Sequence, residues 1–273
     1  MRISSWNVNS IRARIPNLLN WIKKTNPDII LLQELKCTND QFPLLELSNL
    51  NYNIIFKGQK SYNGVAILSK YRLYDVVYDL PTYNIVDSDD EARYIEAKFD
   101  INGKTIKIAS IYVPNGSPPS NFVGDDVTET DRFYNKMKFY DRLKKLFEES
   151  IKSEELAFFG GDFNVCPLLE KDVYSVKKDG VITCNKKERD KFKKFLDVGM
   201  HDTFRDLNKD AMEFSWWGYR PFNMFEKNQG MRLDAILTTN YSFKLVESCF
   251  IEKETRSAEK PSDHAPMSCI ISL

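Results

Sequence analysis

Short apolar runs alternate with amphipathic helical segments along the chain, and this alternation constrains the fold more than any other feature. Residues 29–32 follow Pro27-Asp28 and are apolar at every position, which is typical of a strand buried on both faces. Just upstream, apolar residues recur at positions 15, 18, 19 and 22, the spacing of an amphipathic helix. Because such segments interleave over residues 1–273 without a linker or repeat, we predict one α/β domain.

The same patterns place the remaining elements. We predict further strands at residues 2–8, 64–69, 95–99, 105–113, 156–159, 232–237, 243–251 and 265–271, and a long helix over residues 133–147. Pro16 suits the first turn of its helix. Asn185 and Glu188 predict the start of another helix, with its apolar side at Phe192, Phe195 and Leu196, and Gly199 closes it.

Two segments predict loops or turns. Residues 114–130 are rich in Gly, Pro, Ser and Asp, and a loop of that length inside a compact domain is usually functional. Gly160-Gly161 follows a predicted strand, and we expect this pair to let the backbone turn sharply and bring Asp162 near a substrate.

The charge composition excludes a uniformly basic coat for nucleic acid. The 273 residues contain 39 Lys or Arg and 39 Asp or Glu, so the formal net charge is zero. The charges are unevenly distributed: residues 171–194 carry nine basic and four acidic side chains, and residues 75–100 carry two basic and eight acidic ones. We therefore expect a local basic surface for phosphates and an acidic stretch turned away from them.

The sequence also bears on location. We expect no signal peptide, and no apolar run is long enough to cross a bilayer. Five cysteines without CxxC spacing indicate free thiols in a reducing cytoplasm rather than a zinc site or a disulfide framework.

Polar side chains collect where the predicted strands end. Each one alone fits a solvated turn or loop, but together they form a more specific set. Carboxylate and amide oxygens are the ligands that Mg²⁺ prefers, and Glu34 with Asp263 or Asn7 could supply them. With only His201 and His264 in the chain, a His-rich zinc centre is not indicated. The full set is Asn7, Glu34, Asp162, Asn164, Asp234, Asp263 and His264.

Seven ordered motifs give the chain a family resemblance. They are SWNVNSIRAR (5–14), PDIILLQELK (27–36), GQKSYNGVAILSK (58–70), IYVPNG (111–116), GGDFNVCP (160–167), GMRLDAIL (230–237) and SDHAPM (262–267). In this order they resemble the exonuclease III type of apurinic/apyrimidinic endonuclease, within the endonuclease/exonuclease/phosphatase superfamily. The resemblance implies a four-layer α/β sandwich, in which two packed mixed β-sheets are flanked by helices.

The resemblance also implies an activity. It implies a Mg²⁺-dependent nuclease, with Mn²⁺ as a substitute ion, that cleaves duplex DNA on the 5′ side of abasic sites in base excision repair. Removal of nucleotides from 3′ to 5′ and trimming of blocked 3′ ends are implied as well. We expect a monomeric cytoplasmic enzyme that acts on DNA and not at a membrane.

Roles for single residues follow from the same resemblance. Glu34 is implied as the principal metal ligand, with Asn7 close by and Asp263 completing the acidic ring. Asp162 would activate water, while Asn164 and Tyr112 would stabilise the transition state. His264, oriented by Asp234, would contact the scissile phosphate. In a two-metal version, Asp162, Asn164 and His264 also become ligands, and the sequence leaves both versions open.

A second implied set holds DNA. Basic residues around GQKSYNG, namely Lys57, Lys60, Lys70 and Arg72, could meet phosphates. Trp216 would flank the pocket for the base-less sugar, whereas Trp217 could simply pack a hairpin. The expected DNA-binding residues are Lys60, Asn63, Asn115, Trp216, Arg232 and His264.

The sequence leaves two alternative functions open and differs from the family pattern at three residues. A phosphodiesterase or phosphatase acting on RNA or phospholipid headgroups shares the implied fold, but such relatives typically place a second catalytic His where Tyr112 stands. A DNA-binding module without activity is the other alternative. Leu35 and Asn9 depart from residues common in relatives, and Asn9 would weaken a metal contact. His201 departs as well, and we read it as structural.

Overall fold

The computed structural model describes residues 1–85, 91–123 and 126–273, and these residues form twelve strands and six α-helices. The strands are β1 (Arg2–Asn7), β2 (Ile29–Gln33), β3 (Asn53–Lys57), β4 (Val65–Ser69), β5 (Leu73–Val77), β6 (Tyr94–Ile101), β7 (Lys104–Tyr112), β8 (Leu156–Asp162), β9 (Met200–Asp202), β10 (Asp234–Thr239), β11 (Val246–Ile251) and β12 (Met267–Ile271). The helices are α1 (Ile11–Thr25), α2 (Leu44–Leu47), α3 (Asp131–Lys152), α4 (Lys186–Asp197), α5 (Thr203–Leu207) and α6 (Asn240–Phe243).

Two six-stranded sheets carry the fold. Sheet A has the order β11-β12-β1-β2-β4-β3, and sheet B has the order β5-β6-β7-β8-β10-β9. Each sheet is mixed, because β1 and β2 in sheet A and β7 and β8 in sheet B run parallel while the other pairs are antiparallel.

Apolar side chains on the two faces of each sheet explain the layers. Between the sheets, Ile29 and Leu31 of β2 share one buried cluster with Ile106 and Ile108 of β7. The alternate residues of β2 pack outward against α1, and those of β7 and β8 pack against α3 and α4. Helix, sheet, sheet and helix therefore form the four-layer sandwich, as predicted.

The predicted strands are confirmed, with shifted bounds, and three short strands were missed. β3, β5 and β9 had no prediction, and the strand expected at 243–251 begins at Val246 because residues 240–243 form α6. Residues 86–90 of the acidic stretch and residues 124–125 of the predicted 114–130 loop lie outside the described residues.

Two local predictions were wrong. α1 begins at Ile11, whose N–H donates to the Leu35 carbonyl, so Pro16 lies inside the helix and not in its first turn. Gly160 and Gly161 continue β8 instead of turning. A Cβ on Gly160 would lie 2.6 Å from Leu31 Cδ1, and one on Gly161 would lie 1.8 Å from the Ile111 carbonyl oxygen. These glycines serve close packing.

Most of the predictions for helix α4 are confirmed. Asn185 and Glu188 form a capping box, and Gly199 follows the helix with a positive φ of 104°. Phe192 and Phe195 are buried, but Leu196 is 40% exposed and does not belong to the apolar side. No helix among the described residues has the length and apolar character needed to span a bilayer.

Candidate active site

The site lies at one end of the strands of both sheets. Asn7, Tyr112 and Asp162 are the last residues of β1, β7 and β8, and Asp234 is the first residue of antiparallel β10. In the sheet register Asp162 pairs with both Tyr112 and Asp234. The carboxyl ends of parallel strands and the amino end of an antiparallel neighbour lie at the same end of a sheet, so these side chains come together there. Around a cavity of about 330 Å³ lie Glu34, Tyr112, Asn115, Asp162, Asn164, Trp216, Asp263 and His264.

The Asn7 amide joins two carboxylates. Its Nδ2 donates to Glu34 Oε1 and to Asp162 Oδ2, at 2.9 Å each. Its Oδ1 accepts from the Asn9 backbone N–H at 3.0 Å. The Tyr112 hydroxyl donates to the same Glu34 Oε1 at 2.8 Å. Glu34 and Asp162 are therefore held side by side by neutral donors.

Lys36 contacts the predicted metal ligand, a role that the sequence analysis missed. Its Nζ lies 2.6 Å from Glu34 Oε2 and also donates to Asn9 Oδ1 at 2.5 Å. Burial opposes ionisation of Glu34, but the Lys36 ammonium and the Asn7 hydrogen bond outweigh it and lower the Glu34 pKa. Glu34 is therefore an anion at neutral pH. Only the basic residue two places after Glu34 could have signalled this contact.

His264 lies between two carboxylates. Its Nδ1 is 2.8 Å from Asp234 Oδ2, and its Nε2 is 3.6 Å from Asp162 Oδ2. Burial alone would lower the pKa of this imidazole, but Asp234 and Asp162 raise it to about 10. The two carboxylates therefore favour the protonated ring, in which Nδ1–H faces Asp234 and Nε2–H is the second donor.

Asp162 has the properties of a proton acceptor. Burial raises its pKa; the His264 charge opposes this shift, and Asp234 and Glu34 add to it. The Asn164 backbone N–H donates to Asp162 Oδ1 at 2.9 Å and orients the carboxylate. A buried carboxylate with a raised pKa is a better base than an exposed one.

Asn164 is held by its neighbours on every side. Its backbone is left-handed, with φ of 50°. Its Nδ2 donates to the Val113 carbonyl at 2.9 Å, and its Oδ1 accepts from Asn115 Nδ2 at 3.0 Å. This network sets the direction of the Asn164 amide at the cavity wall.

Asp263 and Trp216 close the opposite wall. Trp216 Nε1 donates to Asp263 Oδ2 at 3.1 Å, and Asn9 Nδ2 donates to Asp263 Oδ1 at 2.8 Å. The Trp216 ring borders the cavity, while Trp217 is fully buried. Trp217 is therefore a packing residue, whereas Trp216 forms part of the cavity wall.

The donor set at this edge fits a hard cation. Carboxylates dominate it, and buried Asp234 Oδ1 has no hydrogen-bond partner in the described structure. Ligand atoms of Asp162, Asp234 and His264 lie within 4.8 Å of one another. His264 can act as a ligand only as neutral imidazole, because an imidazolium has no free lone pair. Glu34 and Asp263 line the same cavity and add two further carboxylates of the kind that Mg²⁺ prefers.

The predicted DNA-binding residues do not all lie around the same cavity. Lys60 is exposed, and Asn63 and Asn115 line a neighbouring cavity of about 450 Å³. Arg93 and Arg132 also line that cavity, and the Arg93 guanidinium lies 4.8 Å from the Tyr112 ring centroid. Neither arginine had been singled out, because isolated arginines carry no spacing signal.

Arg232 was predicted wrongly as a DNA contact. Its side chain is fully buried and bonds Asp172 and Asp202, with Nε 2.7 Å from Asp172 Oδ1 and Nη2 2.8 Å from Asp202 Oδ2. Arg205 also bonds Asp172 Oδ1 at 2.7 Å. Arg232 therefore neutralises buried carboxylates and cannot reach a phosphate.

The basic residues around GQKSYNG lie at opposite ends of the strands. Lys57 is the last residue of β3, at the site end, where it bonds Asp79. Lys70 follows the opposite end of β4 and bonds Asp28 at 3.1 Å, and Arg72 lies two residues beyond. The length of β4 is about 16 Å at 3.3 Å per residue, so Lys70 was wrongly grouped with the loop.

His201 lies apart from the site, as expected. It belongs to β9, with its Nδ1 2.7 Å from Asp206 Oδ2 and its ring stacked on Phe243 at 4.2 Å between centroids. All five cysteines are buried and free.

Comparison with known proteins assigns the family. The endonuclease/exonuclease/phosphatase family matches residues 4–264. Exodeoxyribonuclease III of Haemophilus influenzae is 32% identical over 98% of each chain. An AP endonuclease from Archaeoglobus fulgidus and the Neisseria 3′ phosphatase NExo, the latter bound to a product DNA hairpin, each have a TM-score of 0.88 and 31% identity over the full length of both chains. The chain therefore belongs to the endonuclease/exonuclease/phosphatase family and is a nuclease of the exonuclease III type.

Proposed function

We propose that this chain is a Mg²⁺-dependent DNA repair nuclease that hydrolyses the phosphodiester on the 5′ side of abasic sites in duplex DNA and leaves a 3′-hydroxyl. We further propose that it removes nucleotides from 3′ to 5′ and trims blocked 3′ ends. The observation that carries the proposal is the His264 ring held between Asp234 and Asp162, at 2.8 and 3.6 Å, in a cavity that Glu34 also lines.

Each side chain has a chemical role in this proposal. Asp162, with its raised pKa, takes the proton of the attacking water. His264 Nε2–H and the Asn164 amide donate to phosphate oxygens as negative charge develops. Burial raises the pKa of Tyr112 well above its usual value, and the nearby Glu34 and Asp162 charges add to this. Tyr112 therefore stays a neutral phenol that can donate a hydrogen bond.

The metal would be held by Glu34 and Asp263, with the Asn7 oxygen as a further ligand. Bound there, Mg²⁺ or a substituting Mn²⁺ supplies positive charge that stabilises the phosphate oxygens. In a two-metal version, Asp162 and Asn164 join the ligands, and His264 would do so only as neutral imidazole.

Lesion recognition is proposed for the segment that follows Trp216. Tyr219 and Phe222 on it are 47% and 83% exposed. Exposed aromatic side chains beside a cavity can enter a duplex and open its minor groove. Since a nucleotide without a base costs less to extrude, the Trp216 wall of the cavity would select abasic sugars without reading bases.

The substrate strand would continue over the neighbouring cavity. Lys60, Asn63 and Asn115 remain the proposed contacts there, and Arg93 and Arg132 add positive charge at its wall. We also propose that residues 1–273 act as one domain, as a monomer in the cytoplasm, where five buried thiols stay reduced.

Cleavage of a labelled abasic duplex tests the proposal. We expect 5′-side incision with Mg²⁺ and none with EDTA. Glu34→Gln and Asp162→Asn should each lower kcat by about 10³-fold or more, while Asp210→Asn, whose side chain is 99% exposed, should leave it unchanged. Incision in EDTA, or near-normal incision by both site variants, would overturn the mechanism. Faster turnover of an RNA or a phospholipid headgroup than of the abasic duplex would favour the alternative substrate class.

A further inference from the structure

A charged side chain is completely buried behind the active site. Lys136 lies on α3, and the side chains of Lys136 and its ion-pair partner Glu188 are both 0% exposed. Burying an ammonium and a carboxylate is costly unless every donor and acceptor is satisfied. The contacts of Lys136 therefore show what the pair holds in place.

All three N–H donors of Lys136 are used. Nζ donates to the Asn115 carbonyl at 2.9 Å, to the Asn164 carbonyl at 2.8 Å and to Glu188 Oε1. The other Glu188 oxygen accepts from the Asn185 backbone N–H at 2.9 Å, in the capping box of α4. Two helices thus anchor one ammonium against two loop carbonyls.

The two loop residues are those whose side chains meet at the cavity. Asn115 Nδ2 donates to Asn164 Oδ1 at 3.0 Å. Asn164 is left-handed at φ 50°, a conformation that Asn adopts more readily than most L residues. Gly116 packs on the same lysine, because a Cβ there would lie 2.8 Å from Lys136 Cδ.

We propose that Lys136 is a positioning residue for phosphodiester hydrolysis. By binding the backbone carbonyls of Asn115 and Asn164 with one ammonium, it fixes the two loops against each other and sets the direction of the Asn164 amide. Glu188 keeps the ammonium in place. This inference rests on the proposed function, because it assigns the lysine to that same reaction.

Stability alone does not account for this arrangement. A buried ion pair can often be replaced by uncharged residues of similar volume without loss of stability. Hydrophobic residues of that volume, however, have no N–H to donate to two carbonyls on separate loops. A misplacement of about 1 Å in a site can cost roughly 10²-fold in rate. The lysine therefore contributes to the reaction by holding the two loops in their relative positions.

Three variants separate positioning from folding. Lys136→Met leaves Glu188 as an unpaired buried charge and should be less stable. Lys136→Met/Glu188→Gln removes that charge and retains an acceptor for the Asn185 N–H, so it should regain stability. Lys107→Met is the matched control, because it breaks a partly buried pair with Glu155 at 2.6 Å, five residues before Tyr112 on β7.

Steady-state cleavage of the abasic duplex and of a blocked 3′ end is measured at a temperature where circular dichroism shows each variant folded. We expect kcat to fall about 10²-fold in both Lys136 variants, with KM within about threefold of wild type, and no change in Lys107→Met. A double variant that regains stability together with wild-type kcat would overturn the proposal.

A second measurement keeps the inference separate from the proposed function. If the wild-type protein cleaves neither substrate, the proposed function is wrong. Amide hydrogen exchange of residues 113–117 and 162–166 then tests the positioning. Faster exchange of both segments in the double variant, with unchanged exchange in β2, supports it, and unchanged exchange in both segments overturns it.

Discussion

Replacing Arg232 by Met tests whether this arginine holds the fold or holds DNA. The guanidinium bonds Asp172 at 2.7 and 3.0 Å and Asp202 at 3.2 and 2.8 Å. Neither carboxylate side chain is more than 3% exposed. Arg232→Met leaves the stem volume in place and removes only the charge and its donors.

The expected cost follows from the charges left behind. Breaking a buried ion pair by removing one partner costs about 3–5 kcal/mol. Asp172 keeps Arg205 at 2.7 Å, whereas Asp202 loses the guanidinium and retains only its cap on the Arg205 backbone N–H at 3.2 Å. We therefore expect a loss of about 4 kcal/mol in the free energy of unfolding, and a fall in Tm on the order of 10 °C.

Urea unfolding followed by tryptophan fluorescence measures this loss. We expect the midpoint to fall by more than about 1 M with little change in slope. In the folded variant, the salt dependence of DNA affinity should match that of wild type. The control is Lys60→Met, which should keep wild-type stability and lower the salt slope by about one. Wild-type stability in Arg232→Met together with a lower salt slope would refute this reasoning and make Arg232 a phosphate contact.

Three further outcomes are expected. Tyr112→Phe removes the hydroxyl that donates to Glu34 and should lower kcat on an abasic duplex about 10- to 100-fold, or roughly 1.4–2.7 kcal/mol, with KM unchanged. In EDTA, the free energy of unfolding should fall as the pH rises from 7 to 10, by at most about 1.4 kcal/mol per pH unit. The reason is that folding raises the pKa of His264 to about 10, so the stabilising proton is lost as the pH approaches that value. His264→Gln should remove this slope. Gly161→Ala should yield little folded protein on expression, since its Cβ would lie 1.8 Å from the Ile111 carbonyl oxygen.

Controls and contrary results are specific to each experiment. Tyr134→Phe, at a residue 59% exposed, should keep wild-type kcat, and a Tyr112→Phe enzyme of equal rate would remove that phenol from the mechanism. Stability that rises between pH 7 and 10 would contradict the His264 assignment. Gly180→Ala has open space around its Cβ but φ of +86° and should cost only about 1 kcal/mol; a soluble Gly161→Ala of wild-type stability would disprove the packing argument.

Strand interiors and their polar ends were predictable because their signals are local. The apolar run of β2 marks burial on both faces, and Glu34 follows it at the point where water, metal or substrate becomes accessible. The strands that escaped prediction, β3, β5 and β9, all lie at or next to sheet edges. The side chains of β3 and β5 are half-exposed or exposed, so their apolar pattern is weak, and β9 has only three residues.

Other features depend on contacts between distant segments, which a sequence pattern does not contain. Arg232 looks like any basic residue beside a DNA-binding motif until Asp172 and Asp202 are brought around it. Gly161 looks like a turn residue until the Ile111 carbonyl is placed against it. Lys136 has no local signal at all, since its partners come from three other segments.

The pairing of β1 with β12 has a consequence for folding. Arg2 pairs with Ile270, and Ser5 pairs with Met267, so sheet A joins two segments that are far apart in the sequence. Contacts of such long sequence separation form late and slow folding. His264 lies three residues before β12, so the pairing of β12 with β1 helps to place its ring against Asp234. Assembly of the His264–Asp234 pair therefore depends on a long-range contact of the fold and not on local structure alone.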